Sequence, residues 1–168
     1  MAGNAFIKLT ASSGAVKGEA TQTGHVDEIE IGDFSWEVTS DTSFTKGGGA
    51  SVGKATPGVC SWKHFYDTAS PMLMLNCIQG TTFTEVDLSM LKNTGKDQPE
   101  VYFTMKMKGC FITKATIEAG EDGSVNQAID MVFKNVEIGY QKQNNADGTL
   151  DSTKKVLKWD IPTMKASV

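Results

Sequence analysis

The chain has 168 residues, 39% of them apolar and 21% charged, with a net charge of −4. That length suits one domain, residues 1–168, with a sizeable core, and the composition excludes a disordered chain. Mild acidity without any run of like charges excludes a nucleic-acid binder, which needs a basic stripe, and a polybasic membrane patch.

The first residues, MAGNAFIKLTASSG, have neither a basic start nor a long apolar stretch. They do not read as a secretory signal, and no segment approaches the roughly 18 apolar residues of a membrane span. Export therefore calls for a dedicated machine. Ala5–Leu9 reads as a first strand, with Ala5, Ile7 and Leu9 on one face. A polar turn through 18–24 leads to a strand over 26–38, in which Ile29 and Ile31 point one way and Phe34, Trp36 and Val38 the other. The alternation slips at Gly32–Asp33, as a β-bulge makes it do.

Residues 39–57 form a long loop rich in Gly, Ser and Thr and almost free of apolar side chains. Such loops are usually functional or flexible. A strand resumes over 58–66. Ser70 as N-cap, Pro71 at the first helical position and Gly80 at the end predict one short helix from Pro71 to Gln79. It is apolar nearly all round, so it packs against the sheet or between subunits. Further strands follow over 82–91, 101–107, 110–119, 128–141 and 155–161, separated by the turn signals Asn93-Thr94-Gly95, Gly120-Glu121-Asp122-Gly123 and Asp147-Gly148. About eight short strands and one helix indicate a mainly β protein, a barrel or a sandwich.

The candidate chemistry is weak. Gly48–Ala55 (GGASVGKA) nearly matches a phosphate-binding loop, but Ala55 stands where a magnesium-holding hydroxyl is needed, and Pro57 follows where a helix must start. Cys60 and His64 share a strand face, yet four residues of strand span about 13 Å, too far for a thiol–imidazole pair. His25 beside Asp27 and Glu28 lacks a nearby Cys or His to complete a metal site and reads as a structural turn histidine. The three cysteines are odd in number and lack framework spacing, which indicates buried thiols in a reducing compartment. Met72, Met74, Met105 and Met107 read as core. The residues therefore point to no catalytic, cofactor or metal site, and two readings stay open on them alone. One is a monomeric β-barrel that binds a small ligand beneath its aromatics, the other an enzyme using Cys60 or His64.

A set of landmarks runs in order along nearly the whole chain: Phe6-Ile7-Lys8-Leu9, Gly18-Glu19-Ala20-Thr21, His25 before Asp27-Glu28-Ile29-Glu30-Ile31, and Phe34-Ser35-Trp36. The glycine-rich 47–54 segment, Ala69-Ser70-Pro71-Met72-Leu73 with Cys77 and Gly80, Tyr140-Gln141-Lys142-Gln143, Ala146-Asp147-Gly148 and Trp159-Asp160 follow. In order and spacing they resemble Hcp, the haemolysin-coregulated protein family of type VI secretion. Ala20 replaces the usual serine of the family's GES turn, and the strand over 109–118 lacks the familiar LVSS-type run.

The resemblance implies a small antiparallel β-barrel with one helix docked on its side. It also implies a non-enzymatic protein whose hexameric rings stack into a hollow tube. A contractile sheath drives that tube, with effector proteins in the lumen or on the tip spike. The protein would assemble in the bacterial cytoplasm and then be secreted to the medium or a target cell without a cleaved signal. Ending at Val168, the chain would have no room for a fused toxin domain. On this view the 39–57 loop reaches the next ring through Phe44, Lys46, Gly47, Gly48, Gly49, Ser51 and Lys54. Alternation turns Ser35 and Glu37 away from the core. The tube that the resemblance implies would make them part of a polar lumen wall shared with Asn76 and Gln79, the alternative being that Ser35 is simply exposed on the barrel's exterior.

Overall fold

The computed structural model describes residues 4–45, 49–51 and 53–168. In chain order the elements are β1 (Ala5–Ala11), β2 (Gly14–Val16), β3 (Ile29–Glu30), β4 (Gly32–Ser35), β5 (Val38–Ser40), β6 (Ser43–Thr45), β7 (Gly49–Ser51), β8 (Ala55–Pro57) and β9 (Cys60–Phe65). Then come α1 (Ser70–Gln79), β10 (Thr82–Lys92), β11 (Glu100–Ala119), β12 (Val125–Val132), β13 (Asn135–Gln143), β14 (Leu150–Asp160) and β15 (Lys165–Ser167).

The main sheet is mixed in sequence order but antiparallel at each ladder. One path runs β15-β14-β13-β11-β10-β1-β2, while β12 joins β11 to β9 and β4 pairs with β9. The segment 29–35 brings the sheet back on itself. Its first part pairs with β1 (Ile29 opposite Ile7), Ile31 N–H donates to the Ala5 carbonyl at 3.0 Å, and its second part pairs with β9 (Ser35 opposite Ser61). The result is barrel-like, with a short seam instead of a continuous closing ladder.

The expected bulge is at that seam. Register shifts between Gly32 and Ser35, and Asp33 adopts φ 46°. The strand expected over 26–38 is shorter than read, because residues 24–28 form a turn. Gly24 and Asp27 take positive φ, and the backbone of Asp27 and Glu28 bonds to Gly18 and Ala20 instead of to a neighbouring strand. Val38 belongs to β5 and is exposed.

Two further boundaries differ from the sequence reading, for one reason. The strands expected over 101–107 and 110–119 are one 20-residue strand, β11. The strand expected over 128–141 breaks at Phe133–Lys134 into β12 and β13. Gly109, at φ 63°, bends β11 opposite that break, and Lys134 N–H donates to the Lys108 carbonyl at 3.0 Å. One half of β11 thus pairs with β12 in the barrel. The other half pairs with β13, which carries β14 and β15 outward.

The interior is filled by Trp62, Phe83, Leu88, Met105, Met107 and Met131, all essentially inaccessible. Burying each such side chain contributes about 1.5–3 kcal/mol. The alternations read in 7–9, 86–88 and 105–107 place their apolar residues in this core. Strand β1 is also buried on its other face, where Phe6 meets Ala20 and Leu91.

The helix begins at Ser70, and its N-cap is Ala69, not Ser70. Asp67 supplies the capping oxygen: Oδ1 accepts the Ala69 and Ser70 N–H groups at 3.0 and 3.1 Å. Gly80 ends the helix at φ 65°, donating to the Asn76 carbonyl.

Candidate functional site

The residues considered for chemistry are locked into structure. Gly49–Ser51 and Ala55–Pro57 are strands, so no helix N-terminus faces a phosphate there. Cys60 is fully buried, and its thiol is pushed up to about 12, chiefly by burial and then by Cys110 and Asp130. It is no thiolate nucleophile at neutral pH. His25 stacks on Phe6, with ring centroids 4.7 Å apart, and its Nδ1 lies 2.8 Å from Glu28 Oε2. No group of three His, Cys, Asp or Glu residues with metal-binding geometry occurs among the described residues.

His64 belongs to a buried polar cluster at the helix start. Its Nε2 lies 3.1 Å from Ser70 Oγ, which also accepts the Asp67 N–H at 3.0 Å. Gln127 Nε2 donates to the Ser70 carbonyl at 3.1 Å. His64, Ser70 and Gln127 are all buried, and Ser70 and Gln127 have no exposed surface at all. Burial lowers the imidazole's pKa, opposed by Asp67 and Gln127. The cluster fastens the helix N-terminus to β9 and β12.

The segment 39–57 is a two-stranded arm. Val38–Ser40 pairs with Ala55–Pro57, and further out Ser43–Thr45 pairs with Gly49–Ser51. Trp36 roots it by donating Nε1–H to the Gly58 carbonyl at 3.3 Å while its ring packs against Phe133 and Trp159. Near its outer end Phe44 is 86% exposed. Ser51 and Lys54 are exposed as well, whereas Lys46, Gly47 and Gly48 lie outside the described residues.

Phe34 and Trp36 pack on the core, and Ser35 and Glu37 face solvent, as alternation requires. Gln79 is exposed too. Asn76 is different: at 7% exposure it lies on the buried side of the helix with Leu73 and offers little surface to a wall. The opposite helix face exposes Met72, Leu75 and Ile78.

The sequence reading missed the charged face of the main sheet. Cross-strand register aligns Lys8, Asp87, Lys106, Glu137 and Lys158 in one row of alternating sign. Lys106 Nζ lies 3.6 Å from Glu85 and 3.8 Å from Asp87, and Lys158 Nζ lies 3.8 Å from Glu137. Burial and the neighbouring Glu85 raise the Asp87 pKa against the pull of Lys106 and Lys8. Alternation along each strand was visible beforehand, but the row exists only once five strands are in register.

Comparison with known proteins shows the family. Residues 6–144 match the family described as type VI secretion system effector, Hcp. Protein hcp1 of Pseudomonas aeruginosa is 30% identical over 162 residues, covering 96% of each chain. A solved structure of a type six secretion system protein aligns with a TM-score of 0.86 at 24% identity, over 97% of this chain and 98% of that one. Hcp1 from Salmonella typhimurium aligns with a TM-score of 0.75 at 20% identity, over 98% and 99%.

Proposed function

The chain belongs to the Hcp family of type VI secretion proteins, and on that premise we propose that it is a tube subunit without enzymatic activity. The match to a curated Hcp over 96% of both chains carries this reading. Six copies form a ring as a single tube-forming domain each, and rings stack into a hollow tube. A contractile sheath propels the tube beneath a tip spike. Effector proteins ride in the lumen, and the protein leaves the bacterial cytoplasm for the medium or a target cell by this route.

The geometry supports distinct duties for distinct faces. A ring needs two different complementary surfaces on one subunit, and stacking needs two more. The arm over 38–57 projects Phe44, Gly49, Ser51 and Lys54 for contact with the next ring. Phe44 supplies an aromatic anchor of the kind that dominates interfaces. Ser35, Glu37 and Gln79 are exposed polar residues suited to a lumen wall that releases cargo. Asn76 drops out of that set because it is buried.

Negative-stain imaging of the purified protein tests the reading. Annular particles with a central hole are expected. A field of compact particles of protomer size, at every concentration, would contradict it.

A further inference from the structure

Charge is segregated along this chain. Between Gly18 and Thr45 lie seven acidic residues and no lysine or arginine. In the fold, part of this acidity collects around one aromatic. A groove of about 670 Å³ is lined by Glu30, Asp33, Lys63, Phe65 and Glu118 among others. A second, of about 390 Å³, shares Glu30 and Phe65 and adds Glu19 and Asp67. Five carboxylates thus surround a phenyl ring that is 74% exposed, and Lys63, the cation among these residues, is already paired with Glu118 at 3.0 Å.

The opposite sign gathers elsewhere. A groove of about 580 Å³ on the outer face of β11, β13, β14 and β15 is lined by Lys106, Lys108, Lys158 and Lys165 against Glu137 and Asp160. Lys106 and Lys158 are ion-paired within the sheet. Lys108 and Lys165 are exposed and form no ion pair among the described residues. In the strand path β4-β9-β12-β11-β13-β14-β15 the acidic groove lies at one end and the lysine face at the other.

We propose that these two surfaces meet head to tail: the acidic groove around Phe65 of one copy receives the lysine face around Lys108 and Lys165 of the next. The occupant is a second copy of this chain because both halves of a complementary pair are present on it, on different faces. That is what a closed ring of identical subunits requires. Phe65 is the buried anchor of the contact, and the charges set its orientation and speed its formation. The inference rests on the ring reading and names the surfaces that make the ring.

Two variants test it by light scattering after size-exclusion chromatography. Phe65→Lys spoils only the acidic groove, and K108E/K165E spoils only the lysine face. All three positions are exposed, so the fold should survive, as circular dichroism would check. Each variant alone should drop from the ring mass to the protomer. An equimolar mixture should give a dimer and nothing larger, because each variant keeps one good face. The unmodified ring should also loosen between about 0.1 M and about 1 M salt, as the screening length falls from about 10 Å to about 3 Å. A parent ring that both variants retain overturns this inference and leaves the ring reading standing, as does a mixture that yields no dimer. A parent chain that never leaves the protomer mass overturns both.

Discussion

His64 Nε2 lies 3.1 Å from Ser70 Oγ inside the protein, so the first turn of the helix hangs on a buried strand histidine. The contact explains why a serine sits at the helix start without capping it: Asp67 caps, and Ser70 anchors. It also makes the helix docking sensitive to acid.

Because burial lowers the His64 pKa, the unfolded chain takes up the proton more readily than the folded one. Stability is therefore fully present above the ordinary histidine value of about 6.5 and declines as pH falls through it toward the lower folded value. Urea midpoints measured at neutral and mildly acid pH should fall with acidity, and His64→Gln should flatten that slope. An unchanged slope in the variant would remove His64 as its source.

Gly109 bends β11 with φ 63°, and a Cβ placed there would lie 3.1 Å from Lys134 Cδ. Gly109→Ala forces a left-handed backbone on an L-residue, at about 1–2 kcal/mol. For a domain of this size the melting temperature should drop by roughly 2–8 °C. A melt within a degree of the parent would show that the bend relaxes freely.

Phe44, at 86% exposure, touches little in its own protomer. Phe44→Ala should change protomer stability by less than about 0.5 kcal/mol, as exposed substitutions do. It should instead shorten or abolish stacks of rings, counted in electron micrographs at fixed concentration. Stacks of unaltered length would exclude the arm from ring stacking.

Ser35 is exposed beside the half-buried Phe34 and Trp36. Ser35→Gln extends a side chain into the proposed lumen and should reduce the protein that co-purifies with the rings, leaving ring mass as it was. Equal cargo recovery in parent and variant would place Ser35 elsewhere on the tube.

Much of this fold is written in local alternation. Ile7 and Leu9, Val86 and Leu88, and Met105 and Met107 reach the core as their spacing predicts, and the slip at Gly32–Asp33 appears as a shift in register. Parity is a property of neighbouring residues, so it survives without a structure. Pairing partners are not local. Residues 26–28 read as the start of a strand, yet the backbone of Asp27 and Glu28 bonds to Gly18 and Ala20, and the break at Phe133–Lys134 answers a bend at Gly109 about 25 residues away. The two-faced burial of β1 depends on Leu91, far along the chain. For the same reason the lysine face and the acidic groove were invisible beforehand, since each is assembled from strands distant in sequence. Asn76, expected on the lumen wall, stands three positions after Leu73 on the helix, and that spacing puts both on the buried side.

The most direct test of the account is the absolute mass of the purified protein by light scattering at about 0.1 M salt. The account predicts a discrete species of six protomers of 18.1 kDa each. A single 18.1 kDa species over a wide concentration range would contradict it.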